Sequence, residues 1–289
     1  MTAIIVGRFQ VHELHEGHLD IIEQVRTKHK HVTIFLGVTA TLTTRNNPLD
    51  FTSRKQMLLQ YFPEMTVLPM PDTPLDADWS KNLDARIKEV HPNTKIMLYG
   101  GRDSFIKSYS GHYPTTVLEQ KLYRSGTDIR NAVSLEVISS PDFRAGMIFA
   151  AYNQYPKIFA TVDIAVFNEA KTAILLARKD YQTQFRFIGG FVDPTDESFE
   201  DAAKRETREE AGIEIKDLTY VCNLKVDDWR YRREVDKVMT TLYACTLADG
   251  TPTPMDDIVE LKWFSYASVQ VEDIVPEHQG IFLRLKNRS

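Results

Sequence analysis

The stretch Ala3-Ile-Ile-Val-Gly-Arg-Phe-Gln10, followed by His15-Glu-Gly-His18 and the apolar spacing that runs on to Lys28, decides the fold class of the first half of the chain. Ala3–Val6 is a short, wholly apolar run of the kind that lies buried on both faces of a sheet. His18–Lys28 places its apolar residues three and four apart, as an amphipathic helix does. The same alternation continues outward. Val32–Val38, Lys95–Tyr99 and Leu135–Ile138 read as further buried strands, and Thr52–Tyr61 and Trp79–Val90 as helices between them. Pro69–Pro74 reads as a loop. Strand–helix alternation predicts an α/β domain with a parallel sheet covered on both faces, whose ligands bind beyond the carboxyl ends of the strands.

The pattern changes after a last helix at Asp142–Tyr152 and the connector Asn153-Gln-Tyr-Pro-Lys157. Ile158–Phe167, Ala173–Ala177, Leu218–Val226, Val238–Leu247 and Val259–Phe264 read as strands. A single long helix, Phe199–Ala211, interrupts them. The expectation is two domains, residues 1–152 and residues 158–289, the second of mixed α+β type.

Composition narrows the function. Hydrophobic residues at 43% and charged residues at 26% exclude a largely disordered chain. Thirty-five Lys+Arg against 40 Asp+Glu leave a formal charge of −5, which argues against a nucleic-acid partner while leaving room for a local basic pocket. Cys222 and Cys245 lie near no CxxC or Cys/His cluster and read as small buried hydrophobes. The apolar run before Arg8 is too short for a signal peptide, and no stretch has the length of a membrane span, so no membrane partner and a cytoplasmic location are expected. Homo-oligomerisation is left open.

Two constellations carry chemistry. In the first, His15 and His18 stand three apart at a helix start and face the same way, where free amides and the positive dipole end favour a phosphate. Gly17 between them allows close backbone approach. Far along the chain, Ser125, Gly126 and Thr127 can open another helix with free amides and hydroxyls, and Arg130 adds a fixed cation. These two motifs, in this order, resemble the HxGH nucleotidyltransferase superfamily, with Arg124-Ser-Gly-Thr-Asp-Ile-Arg130 similar to its ISGTxxR signature. Within it the chain resembles the nicotinamide mononucleotide adenylyltransferases of archaeal type. Gly7, Arg8, Phe9 and Gln10 match their GRFQ opening, Arg45-Asn-Asn-Pro48 with Arg54 a further segment, and Gly101-Arg-Asp-Ser-Phe105, which contains Asp103, another. Trp79, just after Asp76 and Asp78, stands where these enzymes stack the nicotinamide ring; packing of a helix face is the competing reading. Val11-His-Glu-Leu14 makes the loop between Gln10 and His15 longer than the family's. The resemblance implies a Rossmann-like domain that transfers adenylate from ATP to nicotinamide mononucleotide. His15, His18 and Arg130 would stabilise the reacting phosphates, with magnesium on the phosphate oxygens.

The second constellation is Gly189-Gly-Phe-Val-Asp-Pro-Thr-Asp-Glu197 followed by Arg205-Glu-Thr-Arg-Glu-Glu-Ala-Gly212. Glu206, Glu209 and Glu210 project from one helix face, and such a crowd of negative charge calls for arginine, lysine or a hard divalent cation beside it. The segment resembles the Nudix box, with one residue more than the box between Gly190 and Glu197. That resemblance implies metal-assisted hydrolysis of a nucleoside diphosphate derivative, with Glu206, Glu209 and Glu210 as ligands to magnesium, or manganese in its place. Glu209 is the expected catalytic carboxylate, and Arg205 and Glu197 would pair to orient the helix. Asp256, Asp257 and Glu260 are equal candidates for a further carboxylate. Trp229 and Arg230 could clasp an adenine or phosphates, or simply alternate in a hairpin. The order of the two resemblances is that of the bifunctional nicotinamide mononucleotide adenylyltransferase/Nudix hydrolases, which implies ADP-ribose as the second substrate. The competing readings are another phosphate acceptor, such as phosphopantetheine, for the first half, and a sensor that binds ADP-ribose without cleaving it for the second.

Overall fold

The computed structural model describes residues 1–41, 43–101, 104–119 and 125–288. The chain divides into two compact units, Met1–Tyr155 and Pro156–Ser289.

Unit 1 runs β1 (Thr2–Gly7), α1 (Glu16–Arg26), β2 (His31–Val38), α2 (Phe51–Tyr61), β3 (Thr66–Pro71), α3 (Asp76–Val90), β4 (Ile96–Gly100), β5 (Thr115–Val117), α4 (Gly126–Ser134) and α5 (Pro141–Tyr152). Its sheet has the order β3-β2-β1-β4-β5, and every paired neighbour is parallel. Successive residues of β1 serve opposite faces, as the pleat requires. Ala3 and Ile5 pack with Ile22 and Val25 of α1 and Leu58 of α2, whereas Ile4 packs with Leu83 and Ile87 of α3.

Two expectations fail here. Leu135–Ile138 is not a strand: it follows α4 and pairs with no strand among the described residues, and Leu135 and Val137 are 86% and 91% exposed. An apolar run becomes a strand only where a partner ladder satisfies its backbone. Conversely, Pro69 and Pro71 lie in β3, not in a loop. This is an edge strand, and the amide of Asp72 bonds Val38 of β2 at 2.8 Å, so by alternation Pro69 and Pro71 turn their nitrogens to the open side, where no ladder donor is needed.

Unit 2 runs β6 (Ile158–Phe167), β7 (Ala173–Lys179), α6 (Phe199–Ala211), β8 (Glu214–Val226), β9 (Lys237–Asp249), β10 (Ile258–Ser265) and α7 (Pro276–Lys286). The sheet order is β10-β7-β6-β9-β8, with β6 and β9 parallel and the other pairs antiparallel. Val162, Ile164 and Val166 pack with the alanines of α6, while Ala165 and Phe167 pack with Ile281, Phe282 and Leu285 of α7. Helix α7, absent from the expectation, therefore closes the second face. No described helix is long and apolar enough to cross a membrane.

Candidate functional site

In unit 1 the strand order reverses between β1 and β4, the point at which open parallel sheets leave a crevice. The carboxyl ends of β1, β2 and β4 border a cavity of about 830 Å³ there. Gly7 ends β1, and Phe9 turns back over it with φ of 47°. A Cβ on Gly7 would meet the Phe9 ring at 2.7 Å, so the turn requires a glycine. Phe9 lies 4.9 Å from the His18 ring, and His18 stacks on His15 at 3.7 Å. His18 borders the cavity, its buried Nδ1 without a hydrogen-bond partner among the described residues. Burial, and then the neighbouring His15, push its pKa down to about 4. Neither His15 nor the buried Gly17 borders the cavity itself.

Arg8 borders the cavity with its guanidinium held by Asp72 at 2.9 Å and Asn47 at 3.2 Å. Gln10 is turned elsewhere. It is buried, its amide donating to Leu49 O at 3.0 Å and accepting from Leu49 N at 2.9 Å, so it clamps the Arg45–Leu49 turn. Beneath this loop Arg54 is fully buried and donates to the carbonyls of Arg8, Gly37 and Asp50, joining the ends of β1 and β2 to α2. Burial, and then Arg8, lower its pKa.

From the other side, Ser125 caps α4 by accepting from Asp128 N. Arg130 donates to Thr127 Oγ1 at 2.9 Å and to Gln10 O at 3.2 Å, which ties α4 to the loop after β1. Ser125, Gly126, Thr127 and Arg130 all border the cavity. So does Trp79, whose ring packs 5.7 Å from Phe105 against the core, as the packing reading has it. Asp103 lies outside the described residues.

In unit 2 the loop before α6 and the face of that helix border a cavity of about 620 Å³. Ser198 caps α6 and Gly212, with φ of 63°, ends it, as their residue types require. Glu206 and Glu210 are buried and Glu209 is exposed. Burial pushes Glu210 up to about 7 against the opposing bond from Gly189 N at 2.9 Å, and burial also raises Glu206. A Cβ on Gly190 would come within 2.7 Å of both Glu206 carboxylate oxygens, so only glycine admits this approach.

Arg205 does not pair with Glu197. Its Nε and Nη2 grip Asp196 at 3.0 and 2.9 Å, its Nη1 reaches Glu206 at 2.7 Å and Glu209 at 2.9 Å, and Nη2 also donates to Phe191 O. Glu197 is exposed. Counted from Gly190, Asp196 falls where the box has its glutamate, and the extra residue lies on the helix side of it.

Trp229 and Arg230 border the cavity; Arg230 is held by Asp228 at 2.7 Å and lies over the Phe191 ring. Asp256 and Asp257 border it, whereas Glu260 pairs with Arg178 and does not. The sequence reading missed Asp163, Arg186 and His278, all at this cavity. Asp163, buried beside Thr240 and pushed up to about 6 by that burial, was signalled only as a lone acid in the apolar run Ile158–Phe167.

As the side chains stand, no three His, Cys, Asp or Glu groups among the described residues are disposed to hold an ion. The chemistry of the donor set nevertheless suits a hard divalent cation. It is all carboxylate oxygen, and two of its members are buried with raised pKa values, a cost that a bound cation would relieve.

Residues 4–146 match the family model described as cytidylyltransferase-like, and residues 157–285 that of the NUDIX domain. A curated relative, the NAD-capped RNA hydrolase NudC of Vibrio atlanticus, is 25% identical over 123 residues; the match spans 42% of this chain and 42% of that protein's length. Among solved structures, a bifunctional NMN adenylyltransferase/ADP ribose pyrophosphatase from Francisella tularensis is 21% identical, covering 100% of this chain and 99% of that one with a TM-score of 0.43. The NUDIX domain of Shewanella oneidensis NrtR, solved with ADP ribose, is 18% identical, covering 49% of this chain and 97% of that one with a TM-score of 0.39. Two enzyme families thus meet in one polypeptide: the chain carries a cytidylyltransferase-like, nucleotidyltransferase-type domain followed by a domain of the NUDIX family.

Proposed function

We propose that unit 1 joins ATP and nicotinamide mononucleotide into NAD and that unit 2 hydrolyses a nucleoside diphosphate derivative, with ADP-ribose as the leading substrate. The observation that carries the reading is the meeting of three separate stretches at one cavity: His18, the capped start of α4 with Thr127 and Arg130, and Trp79. Two suit phosphates and one a flat ring. In the transfer, a 5′-phosphate oxygen of the mononucleotide attacks the α-phosphorus of ATP and pyrophosphate leaves. No protein nucleophile is needed, so the chain acts by positioning and by stabilising charge. His18, neutral where it is buried, supplies a hydrogen-bond donor, Arg130 a permanent charge, and the start of α4 its free amides.

In unit 2, magnesium, or manganese in its place, held by Glu206, Glu209 and Glu210 would supply Lewis-acid polarisation of the diphosphate. Asp196 and Arg205 fix the helix that presents these carboxylates. Trp229, Tyr181 and Phe191 at the cavity offer aromatic faces to a base. The likeness to the NAD-capped RNA hydrolase puts NAD beside ADP-ribose as a substrate to be tried.

The test is to incubate the purified chain with ATP, magnesium and the amide or acid mononucleotide or phosphopantetheine, and to separate the products. NAD and pyrophosphate from the amide mononucleotide are expected, and a dephospho-coenzyme product instead would overturn the acceptor. ADP-ribose should yield AMP and ribose 5-phosphate. Binding of ADP-ribose without cleavage would make unit 2 a sensor.

A further inference from the structure

The basic side chains at the cavity of unit 2 are Lys179, Arg186, Arg230 and His278. Lys179 is held by Asp257 and lies 3.9 Å from Glu210, and Arg230 is held by Asp228. His278 is neutral, its pKa driven well below the usual range by burial and then by the charges of Arg186 and Lys179. Arg186 differs from the rest. Its charge is felt by Asp163, Glu210 and Asp228, yet among the described residues no carboxylate is within ion-pair distance of it. Among the described residues its Nε is buried without a hydrogen-bond partner, and its Nη2 meets only the Nε2 of His278, at 3.4 Å. The backbone beneath it is fixed, because Arg186 N and O both bond Ala177 of β7, at 2.8 and 2.9 Å.

A guanidinium keeps its charge at any pH the protein meets, and a buried donor without an acceptor costs free energy until one arrives. Its planar fork matches two oxygens of a phosphoryl group. We propose that Arg186 is the diphosphate-binding residue of this site, taking non-bridging phosphate oxygens of the substrate and so favouring diphosphate-linked nucleotides over monophosphates. The proposal rests on the hydrolase reading of unit 2. It also explains why an arginine without a carboxylate partner among the described residues stands in a cavity that Asp163, Glu206, Glu209 and Glu210 border: the cation balances a ligand that those carboxylates would repel.

The test uses the full chain, with Arg186→Gln and Arg186→Lys checked for folding by thermal melting. For ADP-ribose, Arg186→Gln should raise KM roughly 10- to 100-fold with a smaller change in kcat, and Arg186→Lys should fall between it and the parent. ADP should inhibit the parent more tightly than AMP does, and Arg186→Gln should erase that advantage. Should Arg186→Gln not fold, Arg186→Lys alone decides, since it keeps the charge and loses the fork. A KM and an ADP preference within twofold of the parent in a folded variant would overturn the proposal. A parent that cleaves no diphosphate defeats the hydrolase reading instead, and calorimetric binding of ADP then decides Arg186: weaker binding by Arg186→Gln supports it, and equal binding overturns it.

Discussion

His18 combines two properties that pull against each other: it borders the cavity proposed to take the phosphates, and burial keeps it neutral. Replacing it with Ala should lower adenylyl transfer about 10²–10³-fold, the usual cost of a lost transition-state donor, while hydrolysis by unit 2 continues. The same residue leaves a mark on stability. In the unfolded chain this imidazole titrates near 6.5 and in the folded one near 4, so between those values the unfolded state takes up the extra proton. The parent is therefore expected to lose stability as pH falls from 6.5 toward 4, by at most roughly 3 kcal/mol, with no contribution above that window. Urea unfolding of His18→Gln should show a shallower acid decline. At the Nudix helix the decisive pair is Asp196 with Arg205. Asp196→Asn should depress both the melting temperature of unit 2 and its hydrolysis, and Glu197→Gln should change neither measurably; equal effects would sink the assignment. Sequence could not separate these neighbours. Glu197 satisfies the count back from Arg205 and Asp196 the count forward from Gly190. What decides is the turn in which Asp193 N donates to Asp196 Oδ2 while Asp193 Oδ1 accepts from Thr195 N and Oγ1, folding Asp196 back toward the guanidinium.

At the scale of elements, the loop before α6 and the first turns of that helix act as one unit, because Gly190 lets the Glu206 carboxylate press against the chain. Gly190→Ala should remove most hydrolysis, measured as AMP release, by displacing Glu206, while circular dichroism still reports the helix. Full activity in that variant would show that Glu206 has no need of its position. Elements whose ends are marked by side-chain chemistry were legible: α6 begins at Ser198 and stops at Gly212, and both read directly from residue type. Elements defined by their neighbours were not. β3 contains two prolines that argue against a strand unless it is known to lie at an edge. α7 opens with Pro276, and its apolar residues gain meaning only from the sheet face they cover. Leu135–Ile138 has the composition of a strand and, among the described residues, nothing to pair with. For the same reason the cavity-lining Asp163 of β6, Arg186 of the segment between β7 and α6, and His278 of α7 were invisible until the fold assembled them.

At the scale of the molecule, two units with separate cores carry two separate cavities. Their chemistries should be separable. Glu209→Gln is expected to stop diphosphate hydrolysis at saturating magnesium and leave adenylyl transfer at the parental rate, His18→Ala should do the reverse, and the double variant should show both losses without interaction. Since Glu209 is exposed and among the described residues its one ion pair is with Arg205, thermal melting should register little change. The alternation of strands and helices, the change of architecture at the connector and the two chemical motifs were all readable because each is local in sequence. The edge of the unit 1 sheet carries a different consequence. A free strand edge is a template on which a second unfolded or partly folded chain can build, and the outward nitrogens of Pro69 and Pro71 offer it no hydrogen to share. Substituting valine at both positions would leave the ladder to β2 intact and restore two donors to the open side. The expected result is a folded protein that turns cloudy on storage at high concentration, its light scattering rising while the parent's solution stays clear, so these prolines guard the solubility of the chain rather than its chemistry.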